Sequence, residues 1–147
     1  MELFFTPLHI FIATVSGFLI GALWFSPFLF MKAWRKGEGI TKDQMPKRSI
    51  MYLLQINAYS FVAHGAMAAV LALLFDVLAV NSMGLALVFG LLLTFGFVIT
   101  TKFIDMIYTP QGKHFEMRHQ IKFLVQAGYY LTTVTIMSVV LFLVTYA

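Results

Sequence analysis

Four stretches of the chain carry no Asp, Glu, Lys or Arg: Leu3 to Met31, Ser49 to Phe75, Val77 to Thr101 and Phe123 to Ala147. Each is longer than the ~20 residues a helix needs to cross a ~30 Å hydrocarbon layer. In lipid every unpaired backbone N–H or C=O costs several kcal/mol, so segments that satisfy their own backbone are required, and helices do that. The pattern predicts an all-α fold: a four-helix transmembrane bundle in up-down-up-down order, forming one integral membrane domain over residues 1–147. The expected spans are about 8–31, 50–75, 83–106 and 122–145. The third is expected to run past Lys102, whose long stem reaches the interface.

The connections alternate in character. Residues 77–82 form a tight turn, so spans two and three are expected as an antiparallel hairpin. The loop over 32–49 carries Gly37, Gly39 and Pro46 and has room for a short amphipathic stretch. In the loop over 107–121, Thr109-Pro110-Gln111-Gly112 is a turn signal. After it, Lys113 to Lys122 mixes charged and apolar residues as an interfacial lead-in to the last helix. At Ser26-Pro27 the proline lacks a donor and crowds the carbonyl of Leu23, so a kink or an early helix end is expected there.

Charge sets the orientation. Lys32, Arg35, Lys36, Lys42, Lys47 and Arg48 fall in the first loop, and Lys102, Lys113, Arg118 and Lys122 in or beside the third connection. The short second connection and both tails hold none. All ten basic residues therefore share one face, which the positive-inside rule makes cytoplasmic. Trp34, Tyr52 and Tyr108 fall near that interface and Tyr146 near the opposite one, as aromatic belts do. The expected location is the cell (inner) membrane, multi-pass, with the N-terminus and C-terminus both outside. The first segment has no basic residue before its apolar run and no small-x-small site after it, so it does not read as a cleavable signal.

Composition agrees. The chain is 61% hydrophobic and 11% charged, where soluble domains have about a quarter of their residues charged. The net charge of +4 is explained by topology, so no nucleic-acid partner is expected. The absence of cysteine excludes disulfides, thiolate metal sites and cysteine nucleophiles.

Polar and small residues mark the faces turned inward. Ala13, Gly17 and Gly21 recur every four residues in span one, a stripe suited to close helix packing. Its partner is either a helix of the same chain or a second copy, which makes a homo-oligomer an open expectation. Asn57, Ser60 and His64 share a face of span two, and Gln126, Tyr130 and Thr133 a face of span four. Gly90, Thr94 and Thr101 line one side of span three. At 1.5 Å per residue, Ser26, Asn57, Thr94 and Tyr130 lie roughly 8–11 Å in from the cytoplasmic ends, level with Trp24. They are expected to converge as an inner polar layer. His64 lies roughly 21 Å in, level with Gly17, which leaves room for its ring. Against a site stands the ordinary use of such groups as helix glue, worth about 0.6 kcal/mol each on average. His64 has the stronger claim, because an ionisable group in the membrane centre is costly and histidine titrates near neutral pH.

No motif names a reaction. His114-x-Glu116-x-x-His119 puts its histidines on opposite sides of a helix, which is not the zinc-protease spacing, so no metal site is expected. His9 and His64 differ in depth, against a shared haem, and no cofactor is expected. Lys102 and Asp105, three residues apart, are expected to pair on the helix surface. No acidic residue lies deep in a span, which counts against an exporter built on a membrane carboxylate. A lipid-modifying enzyme would need a nucleophile and base at one depth, for which Ser26 and Tyr130 offer only a thin case.

One stretch is familiar. Gly21-Ala22-Leu23-Trp24-Phe25-Ser26-Pro27-Phe28-Leu29-Phe30, followed by Lys32 and Trp34, resembles the first-helix motif of a family of small four-span membrane proteins, domain of unknown function 1761. Gly96-Phe97-Val98-Ile99-Thr100-Thr101 and Gln126-Ala127-Gly128-Tyr129-Tyr130 are similar to its later parts. The resemblance covers most of the chain and implies four spans in a mostly bacterial inner membrane, with no activity attached. The connection after Tyr108 is longer than in the family pattern, so nothing carries over onto His114 and His119. The sequence thus points to a non-enzymatic binding or scaffold protein, with a small apolar ligand or a partner held in the inner half, in contact with the lipid bilayer. The alternative is a small channel or transporter whose path follows the Asn57–His64 face.

Overall fold

The computed structural model describes residues 5–45, 48–108 and 116–146, and every element among them is helical. Helix α1 (Pro7–Trp24) opens with a reciprocal cap: the Thr6 hydroxyl accepts from the His9 N–H, and the His9 ring accepts from the Thr6 N–H. Pro7 sits at the first position, where its missing donor costs nothing. The helix ends at Trp24. That is about two turns short of the expected limit at 31. Pro27 is the cause, because it drives Ser26 out of helical geometry, and the chain turns through Ser26–Phe30 instead.

The turn feeds α2 (Met31–Glu38), the amphipathic stretch expected in this loop. Gly39 closes it in the left-handed conformation, φ 69°, which glycine adopts without strain. Helix α2 lies against the start of α6 (Met117–Tyr146). At Gly37 a Cβ would stand 2.8 Å from the backbone N and Cα of Lys122, so only glycine permits this approach. The Lys122 ammonium then reaches the Glu38 carboxylate at 3.0 Å.

Helix α3 (Ile50–Val77) is capped by the Ser49 hydroxyl and closes with the Val80 N–H donating to the Phe75 carbonyl. Ala79 takes the left-handed conformation this turn requires, φ 48°. The third span runs from Met83 to Ile107 as α4 (Met83–Leu93), a π turn (Thr94–Ile99) and α5 (Thr100–Ile107). It passes Lys102, as its sequence predicts. Around the π turn the hydroxyls of Thr94, Thr100 and Thr101 donate to the carbonyls of Gly90, Gly96 and Phe97. Such back-bonding four residues upstream slightly weakens the α ladder and often bends helices, and three such bonds cluster here.

Four helices are long and apolar enough to cross a membrane. Helix α6 is the hub, with α1, α2 and α4 packed on it. At one end Phe5 meets Phe75 with ring centroids 6.2 Å apart, Thr145 meets His9 at 3.4 Å, and the Tyr146 hydroxyl donates to the Val80 carbonyl at 3.1 Å. The start of α1, the 78–82 turn and the end of α6 therefore share that end, and the basic segments lie at the other. This is the expected up-down-up-down order. The hairpin of α3 and α4 is looser than the short turn suggests. Helix α3 leans on α1 while α4 leans on α6, and a groove opens between the two.

Candidate functional site

The centre of the bundle is built around His64, which is buried. Its Nδ1 stands 2.7 Å from the Ser60 carbonyl and its Nε2 2.8 Å from the Tyr129 hydroxyl. A carbonyl only accepts, so Nδ1 carries the proton; in the neutral ring Nε2 then accepts from Tyr129. Gly17 makes the space: a Cβ there would lie 2.9 Å from His64 Cδ2 and would overlap the Met137 sulfur. Phe18 stands edge-on to the imidazole at 6.3 Å. The expected pairing of Gly17 with His64 is thus present, and the small-residue stripe is consumed within the chain. Ala13 is fully buried, and Gly21 faces the Tyr129 hydroxyl, 3.1 Å from its Cβ position. Gly17 and Gly21 thus pack on α3 and α6 of their own chain.

Toward the basic end the bundle is plugged by aromatic rings. The Trp24 indole donates to the Val125 carbonyl at 3.1 Å and lies over Gly128, 3.0 Å from its Cβ position. Trp24 and Phe30 have centroids 4.3 Å apart, Phe25 and Tyr129 5.0 Å, and Tyr129 and Tyr130 4.9 Å. The layer expected from Ser26, Asn57, Thr94 and Tyr130 does not assemble. Asn57 is exposed and donates its amide to the Leu53 carbonyl at 2.8 Å. Within Ile50–Tyr59 only Ile56 is even half-buried, so this part of α3 stands clear of the other helices and offers Asn57 no partner. Ser26 Oγ is buried and has no hydrogen-bond partner among the described residues. Thr94, at the start of the π turn, is fully buried and lines the groove described below. Ser60 contributes its carbonyl to His64. Gln126 belongs to a different place, a cavity at the basic end.

Two hollows lie along this side of the molecule. The groove between α3 and the third span has a volume of about 490 Å³ and an almost wholly apolar lining, including Met67, Val70, Leu93, Phe97, Val98 and Val134. It sits beside the π turn, at middle depth rather than in the inner half where the sequence placed a ligand. The second hollow, of about 410 Å³, is lined by Glu38, Lys102, Asp105, Arg118, Lys122 and Gln126, among others. Lys102 pairs with Asp105 at 3.3 Å, as expected, and Arg118 with Glu116 at 2.9 Å. His119 also lines it, while His114 lies outside the described residues.

The family model described as a protein of unknown function, DUF1761, matches residues 8–142. The chain belongs to the DUF1761 family. No curated protein and no solved structure matches it. The match takes in Gly17, His64, Tyr129 and both hollows, so the His64 clasp and the groove lie within the DUF1761 region. Sequence reading found His64 and Gly17 but chose Tyr130 where the structure uses Tyr129. The available signal was the line Tyr129–Thr133–Met137, one α6 face that reads as polar only at its inner end. Chemically, a histidine engaged at both nitrogens joins α3 to α6. It is not free to take a ligand at either nitrogen while those bonds hold.

Proposed function

We propose that this protein is a non-enzymatic integral membrane protein that holds a small apolar or amphipathic ligand in the groove between α3 and the third span. The observation that carries the reading is the groove itself: about 490 Å³, apolar, open sideways at membrane depth, beside the irregular Thr94–Ile99 turn. Pockets of about 300–1,000 Å³ with apolar linings are the usual size and character for small ligands. Single π turns inside helices often accompany functional sites. The basic end belongs in the cytoplasm by the positive-inside rule, with the start of α1 and the end of α6 outside. Family membership supports an inner-membrane setting.

The transport alternative gains no support from the geometry. Its path would pass Asn57 and His64, yet Asn57 faces away from the other helices and His64 is closed by Ser60 and Tyr129.

Native mass spectrometry from a mild detergent tests the binding reading. The chain is expected to carry one reproducible additional mass, and Val98→Trp, which fills the groove from its wall, is expected to remove it while the protein stays monodisperse. A bare chain under the gentlest conditions, or a mass indifferent to Val98→Trp, would overturn the reading.

A further inference from the structure

We infer that this protein pairs with a second copy of itself in the membrane, α3 against α3, with the two Asn57 side chains hydrogen-bonded across a twofold axis. Ile50, Leu53, Asn57, Ser60 and His64 share a band about 80° wide on α3. The outer continuation of that band is covered: His64 is buried, and Leu71 and Phe75 belong to the core. The inner part is bare. Ile50 is 79% exposed and Leu53 40%, and Asn57 is exposed as well. The face that packs α3 into its own bundle therefore continues inward for two turns with nothing against it among the described residues.

Asn57 decides what belongs there. A carboxamide has two N–H donors and an oxygen with two acceptor sites. One N–H goes to the Leu53 carbonyl at 2.8 Å, and among the described residues the rest are unmet. The Arg48 guanidinium lies over the Tyr52 ring at 5.4 Å, a basic and aromatic pair of the kind that marks the headgroup level. Asn57 lies about 7–8 Å deeper, where lipid tails supply no partner. Two donors of the chain near this depth are already taken, the Trp24 indole by the Val125 carbonyl and the Tyr129 hydroxyl by His64. A carboxamide complements another carboxamide, giving one bond and receiving one. Copies inserted in the same orientation hold their α3 helices parallel and at the same depth, so a twofold axis along the membrane normal brings Asn57 to Asn57. A single asparagine on an apolar seam fixes the register of parallel helices in this way. In lipid, where apolar surface alone drives no association, hydrogen bonds and close packing do. On α3 the groove starts at Ala66, more than two turns further out, so the pairing leaves it open.

The chain has no cysteine, so a single introduced thiol forms a disulfide only with another copy. The test is mild oxidation of the full chain in liposomes, read across a lipid dilution series. Leu53→Cys, one turn from Asn57 on the same band, is expected to give a crosslinked dimer that persists on dilution. Tyr59→Cys, at a position 72% exposed on the opposite side of α3, is expected to give little, and that little to vanish on dilution. Adding Asn57→Leu to Leu53→Cys is expected to weaken the dimer about tenfold, the weight of two reciprocal hydrogen bonds between helices. Asn57→Gln, which keeps the amide, is expected to retain most of the pairing. Asn57 bonds only to its own helix, so its replacement leaves the bundle folded, which a melting curve checks. Crosslinking that is alike at Leu53 and Tyr59, or absent at both, would overturn the inference. So would a Leu53 crosslink indifferent to Asn57→Leu.

Discussion

Gly17→Leu is expected to break the junction of α1, α3 and α6 and to give the largest loss of stability of any single substitution in the spans. Even one carbon at Gly17 would press on His64 Cδ2 and overlap the Met137 sulfur. Met137 is fully buried, so it has nowhere to go. Overpacking of this kind costs about 1–3 kcal/mol, occasionally more. Pushing His64 off the Tyr129 hydroxyl strands a buried acceptor at a further cost of about 1–3 kcal/mol. The check is a thermal melt in mild detergent beside Gly84→Leu. Gly84 has nothing within 4 Å of its Cβ position, so that control reports the effect of adding a leucine where there is space. A Gly17→Leu melt equal to the control's would contradict the packing.

The second large effect belongs to the clasp. Tyr129→Phe removes the hydroxyl from His64 Nε2, leaving an unpaired acceptor in the middle of the membrane region, and is expected to cost about 1–3 kcal/mol. Replacing both partners by apolar groups is expected to cost less than the single change, since a pair removed together leaves nothing stranded. The double substitution His64→Phe with Tyr129→Phe should therefore melt above Tyr129→Phe alone. If the two single losses simply add in the double, the hydrogen bond is not what joins α3 to α6.

The sequence was legible wherever the signal was the presence or absence of charge. Four uncharged stretches gave four spans, and ten basic residues on one face gave the common end of α2, α5 and α6. Local chemistry was legible too: Pro27 ended α1, and Lys102 met Asp105 within one turn. Which face of a helix meets protein was harder to read. Inside a membrane both lipid and neighbouring helices are apolar, so hydrophobic periodicity separates them poorly. Adjacent tyrosines at 129 and 130 differ by a third of a turn, and only the packing shows that the first reaches His64. Asn57 looked buried because it shares a face with His64. Around Asn57, at the inner end of α1, that face of α3 is exposed and has no neighbour. Contacts between distant segments, such as Glu38 with Lys122 and Gly37 with the α6 backbone, leave no local trace at all. The groove was invisible for the same reason, since it depends on how far α3 and α4 diverge after a short turn.

Photocrosslinking from inside the groove tests the central claim most directly. A photoreactive residue at Val98 is compared with one at Leu19, which is 60% exposed on the outer face of α1 and meets only bulk lipid. The account predicts a single dominant adduct mass at Val98 and a spread of masses matching the bulk lipid at Leu19. The same spread at both positions would mean that the groove is ordinary lipid-facing surface, and the binding reading would fall.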